Sequence, residues 1–379
     1  MKRSGKMIKT SFGVGKYPEN PRLCVEEAVK NFRNPKIIFF FSGEKYFREY
    51  ARLINETFPK TICIGCTAYR SMDASGFEKD VLKAVAIEDG VICSAGVIEK
   101  ADNLALEYSD RVRQSLKEVG ETKNTVCVEF TIPFKRAEEY ALMALNSVLL
   151  RNEIPVIGGT AANIEADSGA SEEAYVALNG EIYPKGCVFA LIHNIEGRIL
   201  LCRENIYEPL TNKSLTVTKA NSITRTVMTY NDMPAADVYA EELGVTKEDI
   251  PKYFFHFPMG RREGDEVYVT AIQSESSNGS LKHLARVYEG TKMMVMKEGD
   301  FRKITDRTIK GVLAEIENPS LVMVFDCVAR TILFEEKNYL DEYGKKLADA
   351  FPKIVGFSCL GEQLGTKNFN HTLMLAVFE

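Results

Sequence analysis

The chain has 379 residues, more than a single hydrophobic core ordinarily serves, so two domains are expected. Its 45% hydrophobic and 27% charged residues are the proportions of a folded globular protein and exclude a disordered or fibrous one. A formal net charge of -5 provides no basic field for nucleic-acid phosphates; Lys2, Arg3, Lys6, Lys9 and the pair Arg261-Arg262 read as scattered, solvated charge.

At the start of the chain, Gly13-Val14-Gly15-Lys16 fails as a phosphate loop, because Thr10 stands where glycine is needed and Tyr17 where Ser or Thr is needed. Pro18 at the third glycine position also excludes a dinucleotide fingerprint. The basic start lacks the apolar core of a signal peptide, and no apolar run reaches the roughly 18 to 20 residues of a membrane helix, so the expected location is cytoplasmic. Nine scattered cysteines, mostly inside apolar runs, read as reduced thiols of such a compartment.

Three stretches share one plan: an apolar strand, an amphipathic helix, then a proline opening a short strand that ends in glycine and small residues. The first runs from Lys36 to Phe41, through a helix from Tyr46 to Thr57, to Pro59 and the strand Thr61 to Thr67. The second runs from Thr125 to Phe130, through a helix from Ala137 to Leu150, to Pro155 and Val156 to Thr160. The third runs from Leu321 to Asp326, through a helix from Leu340 to Ala350, to Pro352 and Lys353 to Phe357. Each is a βαβ unit with parallel strands, and each proline begins a strand where no ladder donor is required.

Antiparallel hairpins are expected between these units. Val81 to Ile87 and Ile92 to Ile98 flank Glu88-Asp89-Gly90-Val91; Ala174 to Leu178 and Cys187 to Ile192 flank Asn179-Gly180; further strands at 266–273 and 291–296 lie beside Ser277-Asn278-Gly279. Asn205 to Ser214 is the expected boundary, dividing the chain into 1–213 and 214–379. The fold class is α/β, mixed α and β: two domains, each a mixed sheet with βαβ units and antiparallel hairpins covered by helices.

Cys63-Ile64-Gly65-Cys66 has CxxC spacing, but no second cysteine or histidine pair stands at ligand spacing, so neither a redox pair nor a zinc site is expected. The four histidines, His193, His256, His283 and His371, carry no metal motif. No cofactor is expected; the alternative is haem, with His256 in an aromatic run and His371 as candidates. A second alternative is an enzyme with Cys66 as nucleophile beside Glu362 and His371. Catalytic residues are otherwise not assigned.

The ordered series of motifs resembles the FIST family, sensory domains of signal-transduction proteins and some F-box proteins. Ile64-Gly65-Cys66-Thr67 and Pro155 to Asn163 look like FIST N. Phe257-Pro258-Met259-Gly260, Tyr288-Glu289-Gly290, Val324 to Arg330, Gly356 to Gln363 and Asn370-His371-Thr372 look like FIST C. The resemblance implies a small-molecule sensor, for amino acids or their derivatives, acting on a separate signalling partner. Tyr69-Arg70 stands where the family commonly has glycine and an acidic residue, and Asn163 where an aspartate is common, which removes a charge.

In open α/β sheets ligands enter outside the carboxyl ends of the strands. The candidate ligand-binding residues are therefore Cys66, Thr67, Gly158, Gly159, Thr160, Asn163, Arg330, Glu362, Asn370 and Thr372. The glycines bring backbone close to a ligand or simply serve tight turns. Arg330 holds a ligand carboxylate or pairs with Glu362 or Asp326.

Overall fold

The computed structural model describes residues 7–101, 105–133, 136–165, 169–170, 173–264 and 266–379. They form two compact units: Met1–Arg203, Thr308–Asn368 and Leu373–Glu379 make unit 1, and Glu204–Arg307 with Phe369–Thr372 make unit 2. The chain enters unit 2 close to the expected boundary, but it returns to unit 1 at Thr308, and after Asn368 it leaves again for four residues. A division into 1–213 and 214–379 therefore partitions the sequence and not these units.

Unit 1 begins with β1 (Lys9–Gly15), α1 (Pro21–Val29), β2 (Ile37–Ser42), α2 (Phe47–Thr57) and β3 (Ile62–Thr67). Then come the hairpin strands β4 (Ser71–Asp73) and β5 (Gly76–Glu78), followed by β6 (Leu82–Asp89) and β7 (Val91–Ile98). α2 forms because Phe47, Tyr50, Ala51, Leu53 and Ile54 recur at helical spacing, and all five are buried. The second series is α3 (Ser109–Val119), β8 (Thr125–Thr131), α4 (Ala137–Leu149), β9 (Val156–Thr160) and the two-residue strands β10 (Ile164–Glu165) and β11 (Gly169–Ala170). It continues with β12 (Val176–Leu178), β13 (Glu181–Tyr183), β14 (Cys187–Asn194) and β15 (Ile199–Asn205).

Unit 2 follows with β16 (Tyr207–Pro209), β17 (Leu215–Asn221), β18 (Thr226–Tyr230), β19 (Met233–Pro234), α5 (Ala235–Leu243), β20 (Met259–Glu263), β21 (Glu266–Thr270), β22 (Ile272–Glu275), β23 (Leu281–His283) and β24 (Lys292–Glu298). These strands form one sheet, and its described pairings are all antiparallel. Leu215, Val217, Tyr230, Tyr239, Ile250 and Met259 are among the residues of its core. After α6 (Phe301–Glu315), the third series of unit 1 is β25 (Leu321–Cys327), α7 (Val328–Glu336), α8 (Leu340–Ala350), β26 (Ile354–Cys359), β27 (Glu362–Leu364), β28 (Lys367–Phe369) and β29 (Thr372–Phe378).

All three βαβ units therefore belong to unit 1, the third included, and their parallel pairs are β2 with β3, β8 with β9 and β25 with β26. Each pair lies at the centre of a six-stranded sheet: β1-β6-β2-β3-β12-β13, β7-β14-β8-β9-β27-β28 and β15-β29-β25-β26-β4-β5. The order shows a cyclic exchange. The hairpin after β3 completes the sheet of β26, the hairpin after β26 completes that of β9, and the hairpin after β9 completes that of β3.

The exchange corrects two expected pairings. β6 and β7 flank a turn at Gly90 but join different sheets, β6 pairing with β2 and β7 with β14. Asn179-Gly180 does make a hairpin, with φ of +51° and +84°, but it joins β12 to β13 while β14 pairs with β8 and β7. Two successive left-handed residues favour a short two-strand hairpin. The longer strand β14 is instead buried between two neighbours.

The repeat sets one residue type in common. A methyl group at Gly65, Gly158 or Gly356 would lie 2.4, 2.0 or 2.1 Å from the carbonyl oxygen of Phe40, Glu129 or Val324 on the parallel neighbour. Only glycine fits there. One residue further on, Phe41, Phe130 and Phe325 occupy equivalent positions in the three sheets, opposite Cys66, Gly159 and Phe357. Phe41 stacks on Phe357 at 4.8 Å between centroids, and Phe130 meets Phe41 and Phe357 edge-on at 5.5 and 5.6 Å. No helix among the described residues is long and apolar enough to cross a membrane.

Candidate functional site

The strand ends singled out from the sequence do gather in unit 1, and they close on one another. The Ala162 N–H donates to the Thr67 carbonyl at 2.9 Å, Tyr69 N–H to Ser358 at 3.3 Å, and Leu360 N–H to Thr160 at 3.1 Å. These bonds link the three repeats head to tail and satisfy backbone groups that a ligand would otherwise address. Cys66, Thr67, Gly158, Gly159, Thr160, Arg330 and Glu362 are all fully buried, and Asn163 is half-buried. Register places Glu362 opposite Gly159 and Gln363 opposite Gly158, and the Gln363 amide donates to Thr160 Oγ1 at 3.0 Å. A methyl at Gly159 would lie 2.9 Å from the Phe357 ring, so side chains already occupy the space beside it.

The thiols here are poorly suited to nucleophilic chemistry. Burial pushes Cys66 and Cys359 well above the usual thiol range, and nearby Glu129 and Glu362, respectively, act in the same direction. Glu362 accepts a hydrogen bond from the Cys359 thiol at 3.5 Å. Among the described residues no group of three or more His, Cys, Asp or Glu could hold a metal ion.

Arg330 is fully buried on α7 and donates from Nε to Asp326 Oδ1 at 2.8 Å. Its guanidinium carbon lies 5.2 Å and 5.8 Å from the ring centroids of Phe334 and Tyr343. Asp326, one of the partners expected for it, is observed in an ion pair with it. Tyr69 and Arg70, the departures from the family pattern, both bind Glu335 on α7: Tyr69 Oη donates at 3.1 Å and Arg70 Nε at 2.5 Å. They tie the β3–β4 turn to α7. Asn163 donates to the Glu173 carbonyl at 3.4 Å.

Glu129, on β8, is a buried acid that the sequence reading did not single out. Burial raises its pKa to about 8, although a hydrogen bond from the Cys187 thiol at 3.2 Å opposes the rise. Because the folded protein holds this proton far above the usual carboxylate pKa, its stability falls as pH rises through the window from the ordinary value to about 8. Between about pH 6 and about pH 8 the expected loss is roughly 2 to 3 kcal/mol. Urea unfolding of Glu129→Gln should show that slope flattened; an unchanged slope would mean that Glu129 is ionised in the folded state.

One cavity of unit 1 opens at the end of β2. Ser42, Gly43, Lys45, Tyr46, Tyr50, Asp80, Pro18 and Glu19 line a cavity of about 140 Å³. Residues 43–46, which connect β2 to α2, supply three of these lining residues, Gly43, Lys45 and Tyr46. Ser42 is buried and pairs in register with Thr67, so the cleft begins one strand away from a predicted site residue. Asp80 lies over Gly43, where a methyl group would come within 2.4 Å of its Oδ1. At the mouth Lys45 is 3.5 Å from Glu19 and its Nζ is 5.0 Å from the Tyr46 ring centroid. The signal for this cleft in the sequence is Ser42-Gly43 directly after an apolar strand, the first strand of its βαβ unit rather than the second.

Asn370 and Thr372 belong to unit 2. Asn370 Oδ1 accepts from Ala271 N–H at 3.3 Å, and Thr372 is fully buried. His371 has a φ of +59°, and its Nδ1 lies 3.0 Å from Tyr207 Oη. The Phe255 ring stands 6.2 Å from His371 and 4.9 Å from His256, which is half-buried.

No curated protein matches the chain. The FIST C domain model matches residues 235–364, running through unit 2 and on into the third series of unit 1. The FIST N domain model matches residues 36–233. With both domains matched in order and together spanning most of its length, the chain belongs to the FIST family, whose domains are taken as sensory domains of signal transduction.

Proposed function

We propose that this chain is a small-ligand sensor whose ligand occupies the cleft at the carboxyl end of β2, and that the ligand is an amino acid or a close derivative. The observation that carries the reading is the lining of that cleft: Lys45 supplies a cation, Asp80 and Glu19 supply anions, and Tyr46, Tyr50 and Pro18 supply apolar walls. A zwitterion with a small side chain matches this set, its carboxylate meeting Lys45 and its ammonium meeting Asp80. At about 140 Å³ the cavity is smaller than the roughly 300 Å³ at which drug-sized sites begin, which suits a metabolite of few heavy atoms. Signalling to a separate partner further requires that the ligand favour one conformation over another, since equal affinity for two states shifts neither.

Thermal-shift titration against the amino acids tests this. A ligand at about 100 times its Kd stabilises by about 2.7 kcal/mol, enough to raise the melting temperature measurably. One compound class should give a dose-dependent rise, and Asp80→Asn and Lys45→Met should each weaken its binding by about tenfold or more without unfolding the chain. No rise with any amino acid, or a rise that survives both substitutions, would remove this site.

A further inference from the structure

A second cleft lies between α3 and α4, away from the site just described. Its volume is about 360 Å³, and its lining includes Arg113, Lys117 and Arg151, Ser147 and Asn152, with Leu116 and Val148 as apolar floor. No carboxylate lines it. In a chain with 53 acidic and 48 basic residues, three converging cations are against the general balance. Helix-borne cations elsewhere are of both kinds: Arg52, Lys345, Lys252 and Lys303 each pair with a carboxylate three or four positions away, whereas Arg22, Arg307 and Lys310 form no ion pair among the described residues. Arg113 has such a partner in Asp110, but among the described residues neither Lys117 nor Arg151 forms an ion pair. Two unpaired cations facing one cleft hold a positive potential that an anion relieves.

We infer that this cleft binds a small phosphate-bearing anion. Arg113 and Arg151 present planar forks suited to phosphate oxygens, and Lys117 adds a point charge. Ser147 and Asn152 add polar groups at the rim, and the Leu116 and Val148 floor accepts a compact apolar body. The volume falls at the lower end of small-molecule sites, near roughly 300 Å³, so a diphosphate with one small organic group fits better than a polymer. The site is independent of the cleft at β2, and its test separates the two.

The experiment is calorimetric titration of the full chain with pyrophosphate, with inorganic phosphate and with adenosine diphosphate. Pyrophosphate or the nucleotide should bind, and raising salt from about 50 to about 200 mM should weaken the affinity severalfold. The double variant Lys117→Ala/Arg151→Ala should lose about tenfold or more, while Asp80→Asn should lose none. Lys117 and Arg151 are exposed, so the variant keeps its fold, checked by circular dichroism. Tighter binding of the nucleotide than of pyrophosphate identifies an organic phosphate; equal binding identifies the phosphates alone as the recognised group. Three results would overturn the inference: no binding up to about 5 mM of any probe, affinity unchanged in the double variant, or an equal loss when the exposed pair Lys60 and Lys353 is removed instead.

Discussion

Arg330→Ala should cost about 3 to 5 kcal/mol of unfolding free energy, read as a lowered midpoint in urea. Both partners of the Arg330–Asp326 pair are fully buried, so the substitution leaves a carboxylate in the protein interior without its counter-ion. The cavity left against Phe334 and Tyr343 adds to the loss. Removing both charges tests the cause. Asp326→Leu/Arg330→Met should recover most of the stability, because replacing a whole buried pair by apolar groups is close to neutral, whereas breaking it is not. A loss below about 1 kcal/mol in Arg330→Ala would mean that the pair is solvated in the folded state. The same geometry removes Arg330 as a clean probe of ligand binding, since its loss acts through the fold first.

Gly158→Ala should destabilise by about 3 kcal/mol or more, and Gly356→Ala by a similar amount. A Cβ at either position meets a backbone carbonyl at 2.0 or 2.1 Å, and the carbonyl belongs to the central parallel strand, so neither strand can move without opening its sheet. Exposed Gly311 in α6 is the control. A methyl there meets nothing within 4 Å, and replacing a helical glycine by alanine should stabilise by about 0.5 to 1 kcal/mol. If Gly158→Ala unfolds at the same midpoint as the unsubstituted chain, the parallel register of β8 and β9 is not as described.

Much of the local structure was legible in the order of residues. The three apolar runs at Ile37, Thr125 and Leu321, each followed by an amphipathic helix and a proline, announced their βαβ units, and the structure has all three. Asn179-Gly180 announced a turn because two left-handed residues in succession favour this pair. The glycines at Gly65, Gly158 and Gly356 announced a special position, but not what filled it. That depends on the register of the neighbouring strand, and register is a relation between residues far apart in the chain.

The sequence by itself determined the α/β class, the repeated units, the buried thiols and the family. Only the tertiary structure decided that the third repeat joins the first two in unit 1, that three hairpins are exchanged cyclically between sheets, that Arg330 is bound to Asp326, and that a cleft opens beside Ser42-Gly43. The division has one physical reason. Helix, turn and strand preferences act over a few residues and are written in composition and spacing. Strand pairing is made by backbone groups that every residue but proline carries alike, so the choice of partner appears only when the whole chain has packed.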